Sequence, residues 1–129
     1  MAYIEKQNYT EFKRYCKSME LRNDPQLIEA YKQAHAKGSV WPEIGEGLRR
    51  IGVLDMEIYL VGTRLFMIMD TVPDFDHDSA FARLATMPRQ SEWETHMSRF
   101  QDTLAEASAD EKWQLIERIY KMDKTSGSL

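Results

Sequence analysis

Tyr31 and His35 are the pair in this chain whose types and spacing best suit proton transfer. Four residues apart on a helix, they share one face. A phenol can donate a proton, and an imidazole titrates near neutral pH. Val40-Trp41-Pro42-Glu43 follows closely, giving an indole, a proline that opens a new helix, and a carboxylate. Proton donors beside an aromatic wall suit a small, polar, uncharged substrate such as a sugar. The same residues also have a plainer reading. Tyr31 can be a boundary residue, and His35 a surface histidine favoured by the dipole near a helix C-terminus. Trp41 can anchor the chain before Pro42, with Glu43 in the first turn. The chemical reading gains from the lack of rivals: no Ser-His-Asp arrangement, Gly-rich phosphate loop or carboxylate-rich metal cluster is legible.

The bulk properties narrow the classes. The chain has 129 residues, 43% hydrophobic and 29% charged, with a formal net charge of −4. That is the composition of one globular domain, expected over residues 12–122 with flexible termini at 1–11 and 123–129. No basic patch stands out, so nucleic-acid binding is not expected. The single cysteine, Cys16, rules out an internal disulfide and a cysteine-based zinc site, and it most simply packs as a small apolar side chain. His35, His77 and His96 show no ligand spacing, so no metal is expected. No apolar run has signal-peptide or membrane-span length, and a cytoplasmic protein is expected.

These candidates need elements to position them. Phe12–Leu21 reads as a strand. Asp24-Pro25 starts a helix, with Asp24 as cap and Pro25 in the first helical position. Leu27, Ile28, Tyr31 and His35 share its face, and Gly38 suits its end. Pro42 opens a second helical segment that carries Trp41, Ile44, Leu48 and Ile51 and stops at Gly52. Val53–Val61 alternates as a strand, with Leu54, Met56, Ile58 and Leu60 on one side and Val53, Asp55, Glu57, Tyr59 and Val61 on the other. Gly62-Thr63 is a tight connection to an antiparallel strand, Arg64–Val72. A turn at Pro73–Asp76 leads to a helix over 78–87. Pro88 interrupts it, and Ser91–Phe100 continues with Trp93, Met97 and Phe100 on one side. Residues 102–111 read as a loop and Trp113–Met122 as a last strand.

The order β-α-β-β-α-β is the ferredoxin-like pattern, an α+β fold with helices on one face of a four-stranded antiparallel sheet. In the third strand Leu65, Met67 and Met69 alternate with Phe66 and Ile68, so both faces are apolar. A second copy packed sheet to sheet would cover the open face, which predicts a homodimer.

Several segments, in this order and spacing, resemble the L-rhamnose mutarotase family over Arg14 to Tyr120. They are Arg14-Tyr15-Cys16, Tyr31-x-x-x-His35, Val40-Trp41-Pro42-Glu43, Asp55-Met56-Glu57-Ile58-Tyr59, Arg64-Leu65-Phe66-Met67-Ile68-Met69, Glu92-Trp93-Glu94 with Met97, and Glu111-Lys112-Trp113. The resemblance implies a dimeric α/β barrel that interconverts the α and β anomers of a 6-deoxy-aldohexose without a cofactor. It implies His35 as the proton donor, Tyr31 as a sugar contact and Trp93 in the pocket lining. Trp41, Met56, Glu94 and Tyr59 complete the candidate substrate-binding set. The chain also departs from the pattern. The spacer Ala36–Val40 is longer, Met56 stands where some members carry a tyrosine, and Glu94 stands where some carry a second tryptophan. L-Fucose is therefore an alternative to L-rhamnose. The same architecture also hosts cofactor-free monooxygenases and small-molecule binding modules.

Overall fold

The structure, a computed structural model, describes residues 9–102 and 109–123, with the backbone alone at 110 and 111. Its elements run β1 (Lys13–Glu20), α1 (Pro25–Ala34), α2 (Pro42–Ile51), β2 (Val53–Val61), β3 (Arg64–Thr71), α3 (His77–Leu84), α4 (Gln90–Met97), α5 (Ala109–Lys112) and β4 (Gln114–Leu115). The strands form one antiparallel sheet in the order β2-β3-β1-β4. The expected α+β architecture is present.

Local chemistry sets the element ends. Asp24 caps α1 by accepting from the backbone N–H of Gln26 at 2.9 Å and of Leu27 at 3.4 Å, with Pro25 beginning the helix. Gly52 ends α2 with φ +109°, in the left-handed region, and its carbonyl accepts from Val72 N–H at 2.9 Å. The expected β2–β3 hairpin forms across Gly62-Thr63, with Tyr59 opposite Phe66 and Ile58 opposite Met67.

The core lies between the sheet and the helices. Met19, Leu21, Leu65, Met67 and Met69 face Tyr31, Ile44, Phe81, Leu84, Trp93, Met97 and Phe100, and all are buried. On the other face Phe66 is 39% and Tyr59 37% exposed. The apolar character expected of both sides of β3 is real, and one side is uncovered. Asp70, buried on that side, is held by Arg14 through contacts of 2.7 and 2.8 Å and by the Tyr9 hydroxyl.

Four expectations need correction. The last strand is far shorter than 113–122. β4 pairs only Gln114 with Ser18 and Leu115 with Lys17, and Ile116 N–H adds one bond to the Cys16 carbonyl. Beyond it Ile119 is 90% and Tyr120 75% exposed, so the alternating pattern there has no sheet or helix of this chain to pack against. The alternation of β2 also fails at its start, because a register shift between Val53 and Asp55 buries Val53 and exposes Leu54. Within the expected loop 102–111, residues 109–112 are helical, while 103–108 lie outside the described residues. The helix expected over 78–87 ends at Leu84, because turns occupy 85–88 before Arg89 at φ +62°. Of the termini expected to be flexible, 1–8 and 124–129 lie outside the described residues, and Tyr9 is tied to Asp70.

Candidate active site

A cavity of about 340 Å³ opens between the sheet and the helices. That falls within the range of small-molecule sites. Its lining is mainly apolar, with Met56, Ile58 and Met67 from the sheet and Ile44, Phe81 and Trp93 from the helices. Its polar residues are Lys17, Tyr31, His35, Gln90, Glu94 and Gln101.

Tyr31 and His35 come from the buried face and the C-terminal cap of α1. Their rings pack 4.2 Å apart between centroids, tilted by 34°. His35 Nδ1 lies 2.9 Å from the Tyr31 backbone carbonyl. A carbonyl only accepts, so Nδ1 carries the hydrogen and Nε2 keeps its lone pair. Burial lowers the His35 pKa, the Tyr31 carbonyl partly offsets this, and the nearby His96 adds to the lowering. The imidazole is therefore neutral near pH 7. Burial also raises the Tyr31 pKa, so the phenol keeps its proton. The Tyr31 hydroxyl hydrogen-bonds the Gln101 side chain, whose carboxamide oxygen has no partner, so the amide nitrogen donates. The phenol thus accepts from Gln101 and its own hydrogen is left for another acceptor.

The long spacer after α1 is taken up by a turn. Gly38 sits at φ +86° and Ser39 N–H bonds the Ala36 carbonyl at 2.9 Å. The chain then delivers Trp41 edge-on to Trp93 at 5.1 Å, stacked on His96 at 5.7 Å and 4.0 Å beneath the Arg89 guanidinium. Trp93 meets His35 edge to face at 5.7 Å. Trp41 therefore backs the cavity wall through Trp93 and does not itself line the cavity.

The structure brings Tyr31, His35, Met56, Trp93 and Glu94 to one cavity. It separates Tyr59, which lies on the opposite sheet face with its hydroxyl 2.7 Å from Glu57. Glu43, a carboxylate that neighbours the motif in sequence, is outside the lining and 3.7 Å from Arg89. Three polar lining residues, Lys17, Gln90 and Gln101, were not singled out by sequence reasoning. Lys17 is buried on the inner face of β1, with its ammonium 4.0 Å from the Phe81 ring. Its signal was its place between Tyr15 and Met19 on the inward side of an alternating strand. Gln90 shares the helical i, i+3, i+4, i+7 face of Trp93, Glu94 and Met97, a signal that was present but unread. Gln101 comes from a segment with no legible pattern, and Lys112, which contacts Glu94 from outside the lining, belongs to the Glu111-Lys112-Trp113 segment of the resemblance. Among the described residues no group of His, Cys, Asp and Glu could hold a metal ion, and no helix is long and apolar enough to cross a membrane.

Known proteins share this chain's sequence family and fold. The profile of the L-rhamnose mutarotase family matches residues 14–122. An L-fucose mutarotase of Xanthomonas campestris pv. campestris is 36% identical over 111 residues, covering 86% of this chain and 89% of that one. A UPF0734 protein of Dictyostelium discoideum is 35% identical over 117 residues, covering 88% and 92%. The crystal structure of an L-rhamnose mutarotase from Formosa agariphila superposes with a TM-score of 0.64 at 20% identity, covering 86% of this chain and 99% of that one.

Proposed function

Because the chain belongs to the L-rhamnose mutarotase family, a family of carbohydrate isomerases, we propose that it interconverts the α and β anomers of a 6-deoxy-aldohexose in the cavity of Tyr31, His35 and Trp93. L-Fucose and L-rhamnose are the two candidate sugars. The observation that carries the reading is the neutral His35 imidazole, its Nδ1–H held by the Tyr31 carbonyl at 2.9 Å, in a cavity walled by Trp93.

Mutarotation breaks the C1–ring-oxygen bond while the anomeric hydroxyl loses its proton and the ring oxygen gains one. The open aldehyde turns about its bond to C2, and closure reverses the transfers. With Nδ1 protonated, His35 Nε2 takes the anomeric proton on opening and returns it on closure. This is the reverse order of the donor role first expected of His35 in ring opening. The Tyr31 hydroxyl, which accepts from Gln101 and keeps its own hydrogen, donates toward the ring oxygen. Trp93 stacks on the apolar face of the ring and Met56 fills the wall beside it. Neither redox change nor carbanion arises, so the reaction needs no cofactor.

The active form we propose is a homodimer. The uncovered sheet face with Phe66 and Tyr59, and the exposed Ile119 and Tyr120 beyond β4, support a second copy as the partner. A cytoplasmic setting goes with the single unpaired Cys16.

Saturation-transfer NMR on the anomeric protons of L-fucose, L-rhamnose and glucose, with catalytic amounts of protein, tests the reading. Faster exchange on one deoxy sugar and none on glucose is expected. Binding without faster exchange would reject catalysis.

A further inference from the structure

Glu94 and Gln90 line the cavity without a part in those proton transfers, and Lys112, outside the lining, contacts Glu94. Glu94 Oε1 lies 3.0 Å from Lys112 Nζ, and Glu94 Oε2 accepts from Gln90 Nε2 at 2.7 Å. Lys112 Nζ donates to the Glu94 backbone carbonyl as well. Gln90 stands one turn earlier on α4, and Lys112 arrives from α5, so the carboxylate is clamped from two elements. The Lys112 side chain has no exposure, whereas that of Glu94 retains 15% and lines the cavity.

The arrangement is costly unless it orients something. An ammonium removed from water is unfavourable without a partner, and a buried ion pair is often no more stabilising than apolar residues of the same volume. What such a pair provides is a fixed acceptor. Each carboxylate oxygen can accept more than one hydrogen bond, so Glu94 keeps capacity after serving Lys112 and Gln90. In a wall built mainly of apolar side chains, that capacity matches the hydroxyl of a neutral polyol.

We propose that Lys112 is a positioning residue for substrate specificity: it holds the Glu94 carboxylate at the cavity wall, where the carboxylate accepts a hydrogen bond from one ring hydroxyl of the sugar. The proposal rests on the mutarotase reading and adds to it the means by which one deoxy sugar is preferred. L-Fucose and L-rhamnose differ in configuration at C2 and C4, so one fixed acceptor can tell them apart. A site built to bond a hydroxyl rejects the analogue that lacks it, because its own polar group is left unpaired.

The test measures anomer exchange by saturation transfer on the preferred sugar and on analogues lacking one ring hydroxyl each, every rate normalised to the uncatalysed rate of the same sugar. Wild type is compared with Glu94→Gln, Lys112→Met and the double variant. The expected result is a loss of about tenfold in kcat/KM for wild type on one particular analogue. Glu94→Gln and Lys112→Met each lose a similar factor on the parent sugar and little more on that analogue. The double variant is no worse than Glu94→Gln alone, because Lys112 acts through Glu94. A uniform loss across all sugars and analogues, or a double variant worse than Glu94→Gln, overturns the proposal. If Lys112→Met leaves too much uncompensated charge to fold, Glu94→Gln and the double variant decide it. An unchanged ratio between parent and every analogue in Glu94→Gln then rejects it. A wild-type protein that accelerates no anomer exchange overturns the functional reading itself, and this proposal with it.

Discussion

At the scale of single residues, the proposed chemistry turns on the tautomer of His35. The backbone of its own helix, one turn back, supplies the acceptor for Nδ1–H, so the ring needs no partner from elsewhere in the fold. Positioned acid–base groups are worth about 10²–10⁴ in rate. His35→Ala is therefore expected to slow catalysed exchange at least about a hundredfold while circular dichroism shows the fold intact; an unchanged rate would remove His35 from the mechanism. The pH dependence follows from the direction of its shift. Burial lowers the native pKa below the unfolded value, which is about 6.5. The unfolded chain therefore takes up this proton first as pH falls. The stability carried by the neutral ring is complete above about pH 6.5 and is lost as pH drops toward the native pKa, with a slope of up to about 1.4 kcal/mol per pH unit. Urea denaturation between pH 5 and 8 should show stability rising with pH, and His35→Gln should flatten that rise. Catalysed exchange should rise with pH along one limb whose midpoint lies below about 6.5, since Tyr31 stays protonated well beyond neutrality.

At the scale of elements, two junctions fix the site. The first is the end of α2, where Gly52 turns the chain into β2. A Cβ there would lie 2.9 Å from Val72 Cγ2 and 3.2 Å from Phe75 Cδ1, at a φ of +109° that side chains rarely adopt. Gly52→Ala should cost about 1–3 kcal/mol, seen as a lower urea midpoint at unchanged slope. Wild-type stability in that variant would show that the strand end relaxes freely. The second junction is the start of α4. Arg89 leads into it in the left-handed region, lies over Trp41, and is within 3.7 Å of Glu43 and 3.6 Å of Glu92. Trp41, Trp93 and His35 are thereby packed in sequence, edge against face. Strand β2 was readable in its exact limits, because nine alternating residues between two glycines leave little choice. Its bulge was not, because nothing in the local pattern marks which strand carries the extra residue.

At the scale of the whole molecule, the sheet divides the protein into a filled side and an open one. The filled side holds the cavity. The open side leaves Phe66 and Tyr59 at the surface, and the segment after β4 leaves Ile119 and Tyr120 there as well. A second copy on that face predicts a dimer mass in analytical ultracentrifugation. Phe66→Glu should shift it to monomer by placing a charge in the buried interface, and a wild-type monomer at micromolar concentration would reject the arrangement.

The sequence by itself determined the order of elements and the pairing of Tyr31 with His35 in the candidate site. Helical spacing places Tyr31 and His35 on one face whatever surrounds them, and caps, prolines and glycines act within a few residues. Only the tertiary structure decided which polar groups share the cavity. Lys17 from β1, Gln90 from α4 and Gln101 from the segment after α4 meet there, and their meeting depends on how the helices cross the sheet. It also decided that Tyr59 faces away, because a side chain's face follows from which neighbour its strand pairs with and which side the helices cover. Proximity along the chain is a local property, whereas convergence in a cavity is set by packing.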